Sequence, residues 1–438
     1  MMNMDFERYR RTVEDINPFN TYGKVSGVIG LLVEGHNPEA SIGEMCRVYP
    51  DGTGRTISAE VVGFRKEKVL LMPFGGLDGV GPGCRILTTG KKSKVRVGRG
   101  LLGRVIDGRG NPIDDGGPIE TEGEYPVYAD PINPLKRSRI KEPMDLGIRA
   151  INGLFSCGKG QRMGIFSGSG VGKSVLLGMI ARNTRADINV IGLVGERGRE
   201  VREFIENSLG KGGLARSVLV VATSDMHPLI RMRAAYVATA IAEYFRDQGM
   251  DVLLMVDSLT RFAMAQREVG LSVGEPPTTK GYTPSVFSLM PKLLERAGSV
   301  EGNGSITGLY AVLVEGDDFN EPVADAARSI LDGHITLSRE LAARNHYPAI
   351  NILESRSRVM IDIVDKEHRK RANDIINAVA TYRKAEDMIN IGAYVEGSNP
   401  EIDHAIRMID IINAFLRQDI DEKVGFEEGR AQLLALFD

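Results

Sequence analysis

The sequence predicts an α/β fold: a central domain with a parallel sheet, preceded by a small N-terminal β-barrel and followed by a C-terminal helical domain. Three observations predict it. β-rich runs separated by turn signals occupy the early part of the chain, apolar runs alternate with amphipathic segments through the middle, and the tail has helical spacing. A chain of 438 residues is too long for one hydrophobic core, so two or three domains are expected.

The β-barrel is expected over residues 21–97. Short β-rich runs such as 24–33 and 69–73 alternate there with dipeptides that favour turns. The loop-rich stretch that follows, residues 98–144, is expected to connect the barrel to the central domain.

The central domain is expected over residues 145–364. Amphipathic segments separate several of its apolar runs, which is typical of helices that cover both faces of a parallel sheet. The runs that fit buried strands are 163–166, 190–194, 218–222, 252–256 and 309–314.

Both ends of the chain carry helical stripes. The tail, residues 365–438, is predicted to be a helical domain because apolar residues recur there at helical spacing. Residues 1–20 are predicted to hold a short amphipathic helix, which either packs on its own domain or docks on a partner or a membrane. The tail stripe consists of Ile402, Ala405, Ile409, Ile412 and Leu416, and the N-terminal stripe of Phe6, Tyr9, Val13 and Ile16.

Composition argues against several classes of protein. The 42% hydrophobic and 26% charged shares are ordinary for a soluble globular protein, and a net charge of -3 does not suggest a generic nucleic-acid binder. No apolar run approaches the roughly 20 residues that span a bilayer, and the N-terminus lacks the apolar core of a signal peptide. Cys46, Cys84 and Cys157 lie far apart without zinc spacing, which indicates a reducing, cytoplasmic setting.

The strongest functional signal is a glycine-rich loop between a predicted strand and a predicted helix. Glycines let backbone N–H groups close around phosphate oxygens, and the helix N-terminus adds partial positive charge. Lys173 is expected to neutralise the β- and γ-phosphates and Ser174 to ligate Mg²⁺. The general pattern begins with glycine, and Ser167 stands there instead. The loop reads Ser167, Gly168, Ser169, Gly170, Val171, Gly172, Lys173 and Ser174.

Two carboxylates follow predicted strands. Asp257 ends the run 252–256, and because the carboxyl ends of parallel strands face the ligand crevice, it is predicted to hold Mg²⁺ through water. Glu196 follows the run 190–194 and is predicted to activate the water that attacks the γ-phosphate. Its neighbour Arg197 is expected to contact the same phosphate, the alternative being a solvated charge pair at the strand end.

Longer stretches resemble a known superfamily. Residues 195–200, which read Gly-Glu-Arg-Gly-Arg-Glu, look like the catalytic signature of rotary ATP synthase β-type subunits and their relatives, whose core is a RecA-like P-loop domain. Residues 347–350 resemble their adenine-pocket segment, and residues 355–360 resemble their arginine-finger segment.

Within that superfamily the details favour one branch. Ser167 and Ser174 in the phosphate loop are similar to the export ATPases of bacterial type III secretion, as are residues 274–282 and 390–394. Residues 263–284 look most like the flagellar members of that branch.

The resemblance implies an ATPase that uses ATP and Mg²⁺. Arg358 matches the arginine that reaches the nucleotide of a neighbouring subunit, with Arg356 as the alternative, and Tyr347 matches the aromatic residue that stacks on adenine. The implied catalytic residues are Lys173, Glu196, Arg197 and Arg358. The implied metal ligands are Ser174 and Asp257. The implied nucleotide-binding residues are Gly168, Ser169, Gly170, Val171, Gly172, Lys173, Ser174, Val175 and Tyr347.

One inference concerns assembly. Rotary rings alternate catalytic and non-catalytic chains, whereas Glu196 and Arg358 occur here in a single chain. Each copy could then be both enzyme and activator of its neighbour. That favours a homomeric, head-to-tail ring, with six copies as the expected number.

The same resemblance implies partners and a location. They are a regulatory export protein at the N-terminal helix, export chaperone–substrate complexes and a membrane export gate, for a cytoplasmic enzyme peripherally associated with the inner membrane. No nucleic-acid partner is expected.

Four alternatives stay open. They are a rotary synthase catalytic subunit, a virulence-type secretion ATPase, a ring-shaped RNA translocase and a nucleotide-binding regulator without turnover. The barrel argues against the translocase because its few aromatic residues are not interleaved with basic ones. Glu196 argues against the regulator.

Overall fold

The computed structural model describes residues 21–37, 39–50, 54–302, 304–314, 316 and 318–437. The chain divides into two compact units, one formed up to Ser93 together with residues 272–274 and the other formed by the rest. The helix predicted within residues 1–20 lies outside the described residues.

The first unit is a closed barrel of six antiparallel strands, paired in the order β1-β2-β5-β4-β3-β6. The predicted run 24–33 is a hairpin rather than one strand, because the chain turns at Gly30, whose φ of 56° favours glycine. Side chains that alternate along the strands fill the barrel, among them Val33, Leu71 and Ile86. The strands are β1 Tyr22–Ile29, β2 Leu32–His36, β3 Glu44–Tyr49, β4 Ile57–Arg65, β5 Lys68–Pro73 and β6 Arg85–Lys92.

The second unit is built on a nine-stranded sheet and two short antiparallel pairs, counted over the described part of the chain. The pairs join β7 Lys94–Val97 to β9 Gly123–Pro126, and β10 Pro143–Met144 to β11 Cys157–Gly158. The strands of the sheet are β8 Val105–Asp107, β12 Arg162–Ser167, β13 Ile188–Glu196, β14 Ser217–Thr223, β15 Asp251–Asp257, β16 Gly298–Ser299, β17 Ser305–Leu313, β18 Gly333–Thr336 and β19 Arg356–Ser357.

The order of this sheet is β19-β18-β12-β17-β15-β13-β14-β8, with β16 beside β17. β16 and β19 pair antiparallel and the others pair parallel. The five predicted strands are confirmed as β12, β13, β14, β15 and β17. They read as continuous apolar runs because the sheet is covered on both faces: the first eight residues of β13 are all buried.

One strand of the sheet comes from an unexpected place. β8 lies in the stretch 98–144, which was expected to connect the two domains, and it pairs parallel with β14 at the edge of the sheet. A three-residue strand has too little periodicity to be recognised in a sequence.

Helices flank the sheet and form the tail. A π-helical segment, Phe204–Leu209, continues α3. The helices are α1 Arg149–Leu154, α2 Lys173–Asn183, α3 Gly198–Glu203, α4 Gly210–Ala215, α5 Pro228–Asp247, α6 Leu259–Val273, α7 Pro284–Leu294, α8 Pro322–Ile330, α9 Arg339–Ala343, α10 Met360–Ile363, α11 Lys366–Asn390, α12 Pro400–Leu416 and α13 Phe426–Ala435. Among these described helices, none is long and apolar enough to cross a membrane.

The helical tail shares its core with the rest of the second unit. The predicted stripe on α12 is confirmed, since Ala405, Ile412 and Leu416 are buried and the two other members are half-buried. α1 packs against α11, α12 and α13, and residues such as Leu154 and Phe415 belong to one continuous cluster. The C-terminal end of α12 is therefore held close to α1.

Candidate active site

The phosphate loop lies between β12 and α2 and borders a cavity of about 570 Å³. Gly170 and Gly172 have φ values of 77° and 88°, in the left-handed region that favours glycine. Gly172 is the N-cap of α2, and no side chain caps that helix. The N-terminus of α2 can therefore offer its N–H groups to an anion in the cavity.

Three predicted residues meet beside this cavity, and two of them, Lys173 and Glu196, border it. Lys173 begins α2, Glu196 ends β13 and Asp257 ends β15, so their convergence follows from the parallel order of the strands. The ammonium of Lys173 contacts the carboxylate of Asp257 and lies 3.8 Å from Oε1 of Glu196. Ser174, the other predicted metal ligand, is exposed into the same cavity.

The carboxyl group of Glu196 has an unusual environment. Its side chain is 15% exposed, and Oε1 accepts no hydrogen bond from any described residue. Burial, reinforced by the negative charge of Asp257, raises the pKa of Glu196 to about 7. A carboxylate with this pKa in the wall of a cavity is suited to accept a proton near neutral pH.

The two predicted arginines lie in different surroundings. Arg197 borders the cavity, but its side chain is 79% exposed and lies 3.4 Å from Glu200. Arg358 follows the edge strand β19, is exposed, and donates to the carbonyl of Arg328 at 3.4 Å. It does not border the phosphate-loop cavity of its own chain.

A second cavity of about 720 Å³ holds Tyr347. Gly170, Gly172 and Val175 border both cavities, so the two adjoin at the phosphate loop. Tyr347 is 42% exposed, and a Cβ at Gly172 would lie 3.4 Å from its ring. The predicted adenine residue therefore lies close to the phosphate loop, and its contact with adenine stays a prediction.

Two features of the site were not predicted. Arg261, in the first turn of α6, borders the phosphate-loop cavity, and a Cβ at Gly195 would lie 2.9 Å from its Cβ. Arg261 stands four residues after Asp257, at the end of a predicted strand, and that position could have identified it from the sequence. Residues 417–420 and 422 also border the second cavity, and no motif marks them.

Three family models together cover most of the chain. The nucleotide-binding domain of the ATP synthase alpha/beta family matches residues 147–357, and the beta-barrel domain of that family matches residues 25–90. The C-terminal domain of the type III secretion ATPase EscN matches residues 364–435.

Full-length relatives decide the family. The chain is 55% identical to the flagellum-specific ATP synthase of Bacillus subtilis, over 97% of this chain and 97% of that protein. The chain belongs to the family of flagellum-specific and type III secretion ATPases. Another member of this family, the type 3 secretion system ATPase of Xanthomonas euvesicatoria, is 50% identical over 95% of this chain and 94% of that one.

A solved structure of the family has the same fold. The assembled ATPase EscN of the enteropathogenic E. coli type III secretion system superposes with a TM-score of 0.89, covering 95% of this chain and all of that chain at 47% identity. The predicted order of barrel, parallel-sheet domain and helical domain is thereby confirmed. The RNA translocase alternative is not supported by any of these matches.

Proposed function

We propose that this chain hydrolyses ATP to energise protein export by the flagellar type III secretion apparatus. One observation carries the proposal: in a member of an ATPase family, the phosphate loop, Lys173 and Glu196 border one cavity, and Asp257 contacts Lys173 beside it. A loop that binds phosphate, a cation that neutralises it and a carboxylate that can accept a proton are the parts that hydrolysis requires.

The phosphates of ATP would lie along the loop, with Lys173 beside the β- and γ-phosphates. The residues present fit Mg²⁺, because Ser174 borders the cavity with an exposed side chain and the buried carboxylate of Asp257 contacts Lys173, which borders the same cavity. No cluster of three or more metal-binding side chains occurs among the described residues, in line with a magnesium ion held largely by phosphate and water. When bound, Mg²⁺ neutralises charge on the phosphate oxygens.

Glu196 would then orient a water molecule for attack on the γ-phosphate and take its proton. The position of Glu196 on the cavity wall and its raised pKa support this role. Arg261 and Arg197 both border the same cavity and would add positive charge near the transferred group.

The adenine base would occupy the second cavity. The side chains of Tyr347 and Ile420, 42% and 53% exposed, both border it and offer apolar surface to a planar ring.

Assembly is part of the proposal. Arg358 lies outside its own phosphate-loop cavity, at the edge strand of the sheet, where a neighbouring copy could reach it. A head-to-tail ring places Arg358 of one copy against the nucleotide of the next, and we expect six copies. The relative EscN has been described as assembled, and also in complex with its central stalk EscO.

The proposal also covers partners and location. A regulatory export protein would bind the N-terminal segment 1–20, whose apolar stripe its own length cannot bury. Export chaperone–substrate complexes and the membrane export gate would be the other partners, for a cytoplasmic enzyme that associates peripherally with the inner membrane.

The decisive experiment replaces Glu196 by Gln. This change keeps the shape of the side chain and removes its ability to take a proton, so ATP should still bind while turnover falls by about 10²–10⁴-fold. Binding is measured with a fluorescent ATP analogue and turnover by phosphate release. The matched control is Glu206→Gln, an exposed carboxylate on the π-helical segment that pairs with Arg202 at 2.8 Å. Near-normal turnover in Glu196→Gln would disprove the proposed role.

Virulence-type secretion is the second candidate, because a type 3 secretion system ATPase is also 50% identical to this chain. The two are separated by expressing the chain in a Bacillus subtilis strain that lacks its flagellum-specific ATP synthase. Restored swimming supports flagellar export. Correct expression and ATPase activity without any swimming would favour the second candidate.

A further inference from the structure

An irregular segment, residues 417–422, follows α12 and borders the second cavity together with Tyr347. We call it the base wall. Within it, Gln418 and Asp419 are hydrogen-bonded to Glu422 at 3.0 to 3.1 Å, and its position relative to the cavity depends on contacts made by residues elsewhere in the chain.

Arg149, in α1, makes several of these contacts. Its guanidinium donates to the carbonyl oxygens of Phe415 and Arg417, at 3.1 and 3.0 Å, and contacts the carboxylate of Glu422. Its backbone N–H donates to the side-chain oxygen of Gln418 at 2.7 Å. One residue thus holds both ends of the base wall. Arg149 is 8% exposed and borders neither cavity, so it cannot touch the nucleotide directly.

Further bonds join the base wall to the nucleotide-binding elements. Gln418 donates from its backbone to the carbonyl of Tyr347 at 3.0 Å and from its side chain to the carbonyl of Gly147 at 2.8 Å. Arg182, near the end of α2, donates to the carbonyl of Ile420 at 2.8 Å. The side chains of Asp419 and Ile420 are left exposed toward the cavity.

We propose that Arg149 is a positioning residue for nucleotide binding: it fixes the base wall at the distance from Tyr347 that admits a purine ring. An arginine fits this task because its planar guanidinium can hold two carbonyl groups and a carboxylate at once. Without it the wall has fewer fixed points, and closing it over the base costs ordering entropy. This inference rests on the proposed function, because it assumes that the second cavity receives the base of ATP.

The test replaces Arg149 by Met, which keeps much of the apolar stem, and by Lys, which keeps the charge but not the fork. Arg149→Met should raise KM for ATP by about tenfold, as expected for losing charged hydrogen bonds that order the wall, with kcat within about twofold of wild type. The KM of Arg149→Lys for ATP should lie between those of the wild type and Arg149→Met. The control is Arg185→Met, a cation whose side chain is 82% exposed and 3.5 Å from Asp145; it should leave both constants unchanged.

A second substrate mimic separates positioning from general damage. Inorganic tripolyphosphate occupies the phosphate loop but has no base, so its inhibition constant against ATP should be the same in wild type and in Arg149→Met. A merely destabilised protein would lose affinity for both. If Arg149→Met does not fold, as judged by its melting curve, Glu422→Gln provides the same test from a side chain that is 35% exposed, with an expected two- to threefold rise in KM.

Three outcomes would overturn the inference: an unchanged KM in a folded variant, an equal weakening of tripolyphosphate, or a loss confined to kcat. Failure of the proposed function gives a different result, since wild-type protein would then hydrolyse no ATP and bind tripolyphosphate no better than the Lys173→Ala variant.

Discussion

Replacing Arg358 by Ala gives the most demanding test of the proposed ring. The side chain is exposed, and its one described hydrogen bond, to the carbonyl of Arg328, is long at 3.4 Å. Its loss should therefore change the free energy of unfolding by no more than about 0.5 kcal/mol, as for other surface positions. If Arg358 completes the site of a neighbouring copy, turnover should nevertheless fall by about 10³-fold or more.

Mixing two inactive proteins measures this role directly. Chains with Arg358→Ala keep an intact phosphate loop, and chains with Lys173→Ala keep an intact finger. In a head-to-tail ring each interface pairs one loop with one finger, so in a randomly assembled equal mixture about one interface in four is complete. Activity should reach about a quarter of the wild-type value, and about 0.19 of it at a three-to-one ratio in either direction.

The two proteins exchange subunits without being unfolded, and phosphate release then measures ATP hydrolysis. Light scattering monitors ring formation. Absence of rescue in confirmed mixed rings would refute the role in the neighbouring copy. Rescue by Arg356→Ala chains together with full activity of Arg358→Ala would show that the other arginine of this segment is the finger.

Two further predictions concern stability. Burial lowers the pKa of His368 below its usual value near 6.5 while Nε2 keeps a 2.8 Å bond to a backbone carbonyl, so the folded state resists protonation and the free energy of unfolding should fall as pH drops below about 6.5. In urea titrations, His368→Gln should reduce the loss of unfolding free energy at low pH by up to about 1.4 kcal/mol per pH unit. The control His404→Gln, at an exposed position, should leave that loss unchanged. Arg296, fully buried, holds Glu243 through two bonds of 2.8 and 2.6 Å, so Arg296→Met should destabilise the fold by about 3–5 kcal/mol because it strands a buried charge. The double variant with Glu243→Met should recover most of that loss, and equal destabilisation of single and double variants would contradict the reasoning.

The meeting of the phosphate loop, Glu196 and Asp257 could be predicted from the sequence because it depends on local patterns. Lys173, Glu196 and Asp257 each stand at the end of a buried strand or at the start of the helix after it. Parallel pairing brings all such positions to one edge, whatever the distances along the chain. The five main strands were recognisable for the same reason, since full burial produces an uninterrupted apolar run.

The base wall could not be predicted because the contacts that place it beside the second cavity are long-range. Arg149 and Gln418 are 269 positions apart, and nothing in the spacing of either residue points to the other. β8 was not predicted because a strand of three residues is too short to show an alternating pattern. Arg261 could have been predicted from its position shortly after the strand-end residue Asp257. Its close packing against Gly195, which has no side chain in the way, is seen only in the structure.

The arrangement of the two cavities has a mechanical consequence. Gly170, Gly172 and Val175 border both, so the proposed phosphate and base sites share the start of α2. The base wall follows α12 directly, and it is bonded to α1 through Arg149 and to α2 through Arg182. A shift of α12 would therefore reach a bound nucleotide first through the base wall. Glu196 ends a strand of the sheet and takes part in none of these bonds. The same separation is what the Arg149 variants are expected to reveal as a change in KM without a change in kcat.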